Sequence, residues 1–208
     1  LDELPGERDR NYLAQEKNGE TYVLKISNSC ETLEFLQVQN DALERSAKLL
    51  EPGRIPKIFP HKNGEPLSCV RSRMGGQHWM RLVHYVDGLP MAEYRPHTRD
   101  FLLELGRMCG TVTKALHEIP APPSSHTLLW EMHNVQETLE EYMPWIKDEK
   151  LISWVKTSLD LYSQTMEPLE SKLRCGWIHN DFNDYNVLVV PKIIGNPDLG
   201  LIDFGDMT

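Results

Sequence analysis

His179-Asn180-Asp181-Phe182-Asn183-Asp184-Tyr185-Asn186 and, further on, Leu201-Ile202-Asp203-Phe204-Gly205-Asp206 are the stretches whose reading decides the fold. The first has the form H-x-D-x-x-x-x-N. The second is an apolar run that ends in D-F-G. Between them lie a strand candidate, Val187-Leu188-Val189-Val190, a turn at Gly195-Asn196-Pro197-Asp198 and a second strand, Gly200-Leu201-Ile202. This order predicts a hairpin-like pair that carries Asp203 back beside Asn186. Each motif alone has a bland reading, because Asp-rich turns after strands are mostly only turns. Their order and their connection through two apolar strands favour a functional reading.

The chemistry that fits this pattern is phosphoryl transfer. It needs a carboxylate beside the accepting hydroxyl, to orient it and take its proton. It also needs hard oxygen ligands for Mg²⁺, which neutralises charge on nucleotide phosphates. Asp181 suits the first role, and Asn186 and Asp203 carry oxygens for the second. Together the motifs resemble the catalytic loop and metal loop of the protein-kinase-like fold. The expected class is therefore α+β, with two lobes: a β-rich N-lobe over 1–87 and a helical C-lobe over 88–208. The chain stops just after the second motif, so the C-lobe is expected to be truncated there.

Composition narrows the alternatives. Hydrophobic residues are 40% and charged residues 25%, as in an ordinary globular protein with a substantial core. A net charge of -9 argues against nucleic-acid binding through a basic surface. No apolar run approaches the roughly 20 residues of a membrane span. The start at Leu1 has neither an initiator Met nor signal-peptide character, and reads as the interior of a longer protein. Cys30, Cys69, Cys109 and Cys175 are dispersed, without C-x-x-C or zinc-type His spacing. That fits a cytoplasmic, reducing setting in which each thiol serves as a small apolar group.

Along the first part, Asn11 to Gln15 and Thr21 to Ile26 read as strands joined by a turn with the Asn18-Gly19 signal. Glu31 to about Leu50 reads as a helix, with Leu33, Leu36, Leu43, Ala47 and Leu50 on one stripe and Pro52-Gly53 ending it. Strands follow at Leu67 to Ser72 and Gln77 to Val86, turning at Gly75-Gly76. Asp87-Gly88-Leu89-Pro90 reads as a hinge. Beyond it, Leu102, Leu105, Cys109, Val112 and Leu116 form a helical stripe, and Ile119 to Ser125 is a proline-rich loop. A further stripe, Ile152, Val155, Leu159, Tyr162, Met166, Leu169 and Leu173, reads as core.

A kinase-like fold also uses a strand lysine on the nucleotide phosphates, held by a helix carboxylate. Lys25, within Val23-Leu24-Lys25-Ile26, is the lysine with the right strand context, although such a lysine taken alone is more often solvent-facing. Its partner stays open among Glu34, Asp41, Glu44 and Gln37. No G-x-G-x-x-G precedes it. The corresponding loop runs from Leu4 to Asn11, where Arg8, Arg10 and backbone N–H groups near Gly6 can approach phosphates or simply form a charged surface turn.

These residues resemble the aminoglycoside phosphotransferase and choline kinase-like small-molecule kinases, nearest to hydroxylysine kinase. The matching stretches are Tyr22 to Asn28, Met80 to Gly88, His179 to Val189 and Ile202 to Thr208. The resemblance implies transfer of a γ-phosphoryl group from ATP or GTP to the hydroxyl of a small, amine-bearing molecule. It implies Asp181 as the catalytic carboxylate, Asn186 and Asp203 on Mg²⁺, Lys25 on the phosphates, and the hinge strand with Val83 and Tyr85 on the nucleotide. Asn180 stands where the family usually has glycine, and Gln37 where a helix glutamate is expected. The family continues beyond D-F-G into helices that help form the acceptor site, and similar domains occur fused to aminotransferase-like ones. A fused or missing domain is therefore expected, and the chain alone is expected to turn over poorly. The alternative is a kinase-like domain that binds nucleotide or a protein partner without turnover.

Overall fold

The computed structural model describes residues 1–120, 128, 131–193 and 195–208. Asp2–Leu4 (β1), Arg10–Gln15 (β2), Thr21–Ile26 (β3), Ile58–Phe59 (β4), Ser68–Arg71 (β5) and Gln77–His84 (β6) form one antiparallel sheet. Its order is β1-β2-β3-β6-β4, and β5 also pairs with β6. The β2–β3 hairpin turns at Asn18-Gly19, where the Asn18 side-chain carbonyl accepts the Glu20 N–H at 2.9 Å. Strands β2, β3, β5 and β6 lie where the alternation predicts them. Strands β1 and β4 carry no sequence signal, because elements of two or three residues are too short for alternation to show.

Register sets the two faces of this sheet. Val23 lies opposite Val83, and Lys25 opposite Arg81. Residues directly opposite in an antiparallel pair share a face, so these four side chains point the same way. On the other face the rings of Tyr22, Phe59 and His84 cluster, with centroids 4.8 to 5.9 Å apart.

Helix α1 (Leu33–Leu49) starts at Thr32, whose hydroxyl accepts the Phe35 N–H at 3.2 Å. It buries Phe35, Leu36, Ala42 and Leu43, together with the polar Gln39, Asn40 and Ser46. Helix α2 (Arg99–Leu116) is capped the same way by Thr98 and packs against α1. Its buried face is Phe101, Met108, Val112, Ala115 and Leu116. This corrects the expected stripe: Leu102 is 53% exposed, and neither Leu105 nor Cys109 is buried. Phe101, Leu102, Leu103 and Leu105 are all apolar, so two helical phases fit the sequence equally, and packing selects one. The expected hinge holds a short strand, Leu89–Pro90 (β7), which pairs with Val187–Val190 (β8); β8 pairs with Asp198–Leu201 (β9). Gly88 is needed there: its φ is +147°, and a Cβ would stand 3.1 Å from the Val189 amide nitrogen. Val187, Val189, Leu201, Leu116 and Met207 are fully buried.

By contacts the described residues divide into two units, Leu1–Ile119 with Ile178–Met207, and Pro120–Trp177 with Thr208. The second unit contains Val135–Tyr142 (α3) and Glu149–Met166 (α4), and Tyr162 donates its hydroxyl to the Met132 carbonyl at 3.0 Å. The α4 stripe is its least exposed face, yet none of its residues is buried, and Leu169 and Leu173 are exposed beyond the helix end. The expected core stripe is thus corrected to a half-covered face. Pro168 explains the early stop: it has no N–H to continue the helical bonding after Glu167, whose own N–H still donates to the Ser163 carbonyl at 3.0 Å. Residues 121–125 of the expected proline loop lie outside the described residues. The four cysteines are free thiols, and Cys30, Cys69 and Cys175 are exposed rather than packed as small apolar groups. Among the described residues no helix is long and apolar enough to cross a membrane.

Replacing Leu116 by Ala should cost about 2–5 kcal/mol, whereas Leu159→Ala, on the half-covered α4 face, should cost under ~2 kcal/mol. Chemical denaturation of both variants measures the difference.

Candidate active site

The segment after Ile178 enters the site through two left-handed residues. Asn180 has φ 62° and Asp203 φ 58°, a region that Asn and Asp tolerate better than most side chains. His179 is buried, with its Nε2 3.0 Å from the Ile202 carbonyl and its ring edge-on to Phe204. The Ile202 N–H donates to the Asn186 carbonyl at 2.9 Å. The motif His and the motif Asn therefore hold opposite sides of the residue preceding Asp203.

Both oxygens of Asp181 are held by amides. Asn183 Nδ2 donates to Oδ1 at 2.7 Å, and Asn186 Nδ2 to Oδ2 at 2.7 Å. The Asn183 Oδ1 in turn accepts the Tyr185 and Asn186 N–H groups at 2.8 and 3.0 Å. The loop is thus folded around its own side chains, as an Asx-type turn. Asn183 lies outside the fixed positions of the motif, and its signal is residue type: an Asn two residues after the motif Asp builds such a turn.

Lys25 Nζ lies 3.1 Å from Asp203 Oδ1. The Lys25 charge holds the Asp203 carboxyl below the usual range, against the opposing effect of burial. Of the candidate helix partners, Glu34, Gln37 and Glu44 are exposed, and Asp41 pairs with Arg45 at 2.8 Å. The α1 residues that face inward are Gln39 and Asn40, which accept hydrogen bonds from Arg81 at 2.5 and 2.7 Å. Two polar residues on an apolar helix stripe, and an arginine on the inward alternation of β6, were the signals for this cluster.

Arg8 reaches this centre: its guanidinium donates to the Gly205 carbonyl at 2.9 Å and pairs with Asp206 and Glu31. Arg10 does not. It opens β2, opposite Ile26, with an exposed side chain. The loop between β1 and β2 is drawn tight at Gly6, where a Cβ would stand 2.5 Å from the Asp9 carbonyl oxygen. Asp9 in turn accepts the Asn28 N–H at 3.0 Å. A cavity of about 400 Å³ is lined by Val23, Lys25, Val83, Tyr85, Leu188 and Asp203, among others. A second, of about 370 Å³, is lined by Arg8, Asp9, Lys25, Asp181, Asn186 and Asp206, among others. The apolar cavity and the charged one share Lys25, Asn186 and Asp203. A third cavity, of about 450 Å³, lies away from these residues, and its Arg54, Lys192 and Arg107 are paired with Asp198 and Glu104.

The donor set fits Mg²⁺. Among the described residues no group of three or more His, Cys, Asp or Glu is placed to hold a metal. Mg²⁺ usually takes one or two protein carboxylates and completes its shell with water and substrate phosphates. Asp203 offers a carboxylate. Asn186 turns its Nδ2 toward Asp181, and its Oδ1 accepts no hydrogen bond among the described residues.

Residues 3–208 match the model of the phosphotransferase enzyme family. The chain belongs to that family. A curated relative, hydroxylysine kinase of Danio rerio, is 22% identical over 99% of this chain and 59% of its own length. Among solved structures, an amicoumacin kinase in complex with AMP-PNP, Ca²⁺ and Ami superposes with a TM-score of 0.70 at 16% identity, over 99% of this chain and 58% of that one. A microcompartment-associated aminopropanol kinase superposes with a TM-score of 0.67 at 18% identity, over 100% of this chain and 64% of that one. These likenesses establish the kinase-like fold. This phosphotransferase-family chain therefore spans about three fifths of the length of the relatives it matches.

Burial lowers the His179 pKa below its ordinary value. The folded chain keeps this imidazole neutral, while the unfolded chain takes up a proton below about pH 6.5. The stability contributed by neutral His179 is thus present above about pH 6.5 and is lost as pH falls toward the folded pKa. The midpoint of thermal unfolding should fall as pH drops below about 6.5, and less steeply in His179→Gln. An equal slope in the variant would assign the dependence elsewhere.

Proposed function

We propose that this chain is the nucleotide-binding and catalytic-loop portion of a small-molecule kinase, with lobes over 1–87 and 88–208. It transfers the γ-phosphoryl group of ATP or GTP to a hydroxyl of a small, amine-bearing alcohol, with a hydroxylysine-like acceptor first. The observation that carries this reading is the convergence of Lys25, Asp181, Asn186 and Asp203 on adjoining cavities, with Lys25 3.1 Å from Asp203 and both Asp181 oxygens held by amides. Names of relatives support the acceptor class: hydroxylysine and aminopropanol each combine an amine with a hydroxyl. The four free thiols suit a cytoplasmic setting.

In this mechanism Val23, Val83 and Tyr85 line the space for the base, and Lys25 and Arg8 take the phosphates. Asp181 orients the acceptor hydroxyl and accepts its proton as oxygen bonds to the γ-phosphorus. The bond to the bridging oxygen breaks, and the nucleoside diphosphate departs with its charge compensated by Lys25. Asp203 and the Asn186 Oδ1 would hold Mg²⁺, which would neutralise charge on the phosphates. A second reading, a domain that binds nucleotide without turnover, draws on the absence of an α1 carboxylate at Lys25 among the described residues.

Phosphoryl transfer measured on hydroxylysine, aminopropanol, choline, ethanolamine and an aminoglycoside, each with ATP and GTP, separates these readings. Turnover of at least one amino alcohol is expected from the full-length protein. Mg²⁺-dependent nucleotide binding with no turnover on any of them would favour the second. Asp181→Asn should lower kcat by about 10²–10⁴-fold and leave nucleotide affinity nearly unchanged. Asp203→Ala should remove most of the gain in nucleotide affinity that Mg²⁺ gives; equal Mg²⁺ dependence in variant and wild type would reject the metal assignment.

A further inference from the structure

Arg81 lies directly across the β3–β6 ladder from Lys25. Two cations therefore share one sheet face, an arrangement that is unfavourable by itself. Arg81 is 4% exposed, and its hydrogen-bond partners on α1, Gln39 and Asn40, are neutral. Asp9, Asp203 and Glu31 favour its charge through space, and none of them is hydrogen-bonded to it. Burying a cation without a partner carboxylate is costly, and an arginine does not escape by losing its proton.

A purely structural tie between α1 and the sheet would be stronger with a carboxylate on the helix. It would accept the same N–H groups and cancel the charge. Amide carbonyls satisfy the guanidinium and leave its charge intact. Asp203, the acid paired with Lys25, is itself proposed to turn to the metal. Arg81 thus keeps a charge that no hydrogen-bonded carboxylate neutralises, on the sheet face where phosphates would arrive beside Lys25.

We infer that Arg81 is a positioning residue for the nucleoside triphosphate: a buried cation across the ladder from Lys25, held by the Gln39 and Asn40 amides with no carboxylate bonded to it, that strengthens binding of the phosphates. This rests on the nucleotide-binding reading above. The decisive variant is Gln39→Glu, which keeps the size and the hydrogen-bond acceptor and adds the cancelling charge. Dissociation constants with Mg²⁺ are measured for ATP and GTP, and by competition for adenosine and guanosine, in wild type, Gln39→Glu, Arg81→Met and Arg81→Lys, with thermal midpoints alongside.

Gln39→Glu should weaken triphosphate binding by about tenfold, the effect of one unit charge over roughly 10 Å at an effective dielectric of about 20. Nucleoside binding should be unchanged, with a thermal midpoint equal to or above that of wild type. Arg81→Met should lose the triphosphate preference similarly, and Arg81→Lys should recover part of it. A structural role alone would move the midpoint and leave the triphosphate-to-nucleoside ratio as in wild type. That outcome would overturn the inference while the function stands. Failure of wild type to bind either triphosphate would overturn both.

Discussion

The peptide units around Ile202 are clamped from two sides. Its N–H donates to Asn186 and its carbonyl lies 3.0 Å from His179 Nε2. The first bond extends the β8–β9 ladder to the point where β8 begins. The second ties that point to the residue two before Asp181. Since both groups are backbone, the clamp is indifferent to the Ile202 side chain and depends on strand register. It fixes where Asp181, Asn186 and Asp203 stand. The left-handed turn at Asp203 then sends its carboxylate toward Lys25 instead of along the strand.

Around this frame the charges are arranged in two layers. Arg8 with Asp206 and Lys25 with Asp203 form partly exposed ion pairs. Such partly exposed pairs contribute little to stability, typically about 0–1 kcal/mol, so rearranging them costs little. Arg81 is different, because it is buried and its partners are uncharged. The loop from Leu4 to Asn11 lacks the glycine signature of protein kinases, and is instead held by polar bonds, with Arg8 to the Gly205 carbonyl and Asp9 to Asn28. Burial raises the Asp206 carboxyl pKa, and the Arg8 charge opposes that rise. The arginine therefore favours the ionised form of the acid to which it ties the loop.

The sequence by itself determined the long strands, the extent of α1 and the turn-forming loop from His179 to Asn186. In each, local chemistry is enough: alternation in β2, β3 and β6, the Asn-Gly turn, the helical stripe ended by Pro52-Gly53, and the fixed spacing from His179 to Asn186. Only the tertiary structure decided which face of α2 is buried, because Phe101 and Leu102 offer two phases and packing against α1 chooses one. It placed Arg8 at the centre and Arg10 away from it, a distinction that depends on where β2 begins. It also paired Lys25 with Asp203, 178 residues away, and gave the inward side of α1 to Arg81. Those partners come together through sheet register and helix docking. Such long-range geometry leaves no periodic trace in the chain, whereas a turn, a cap or an alternating strand is written within a few residues.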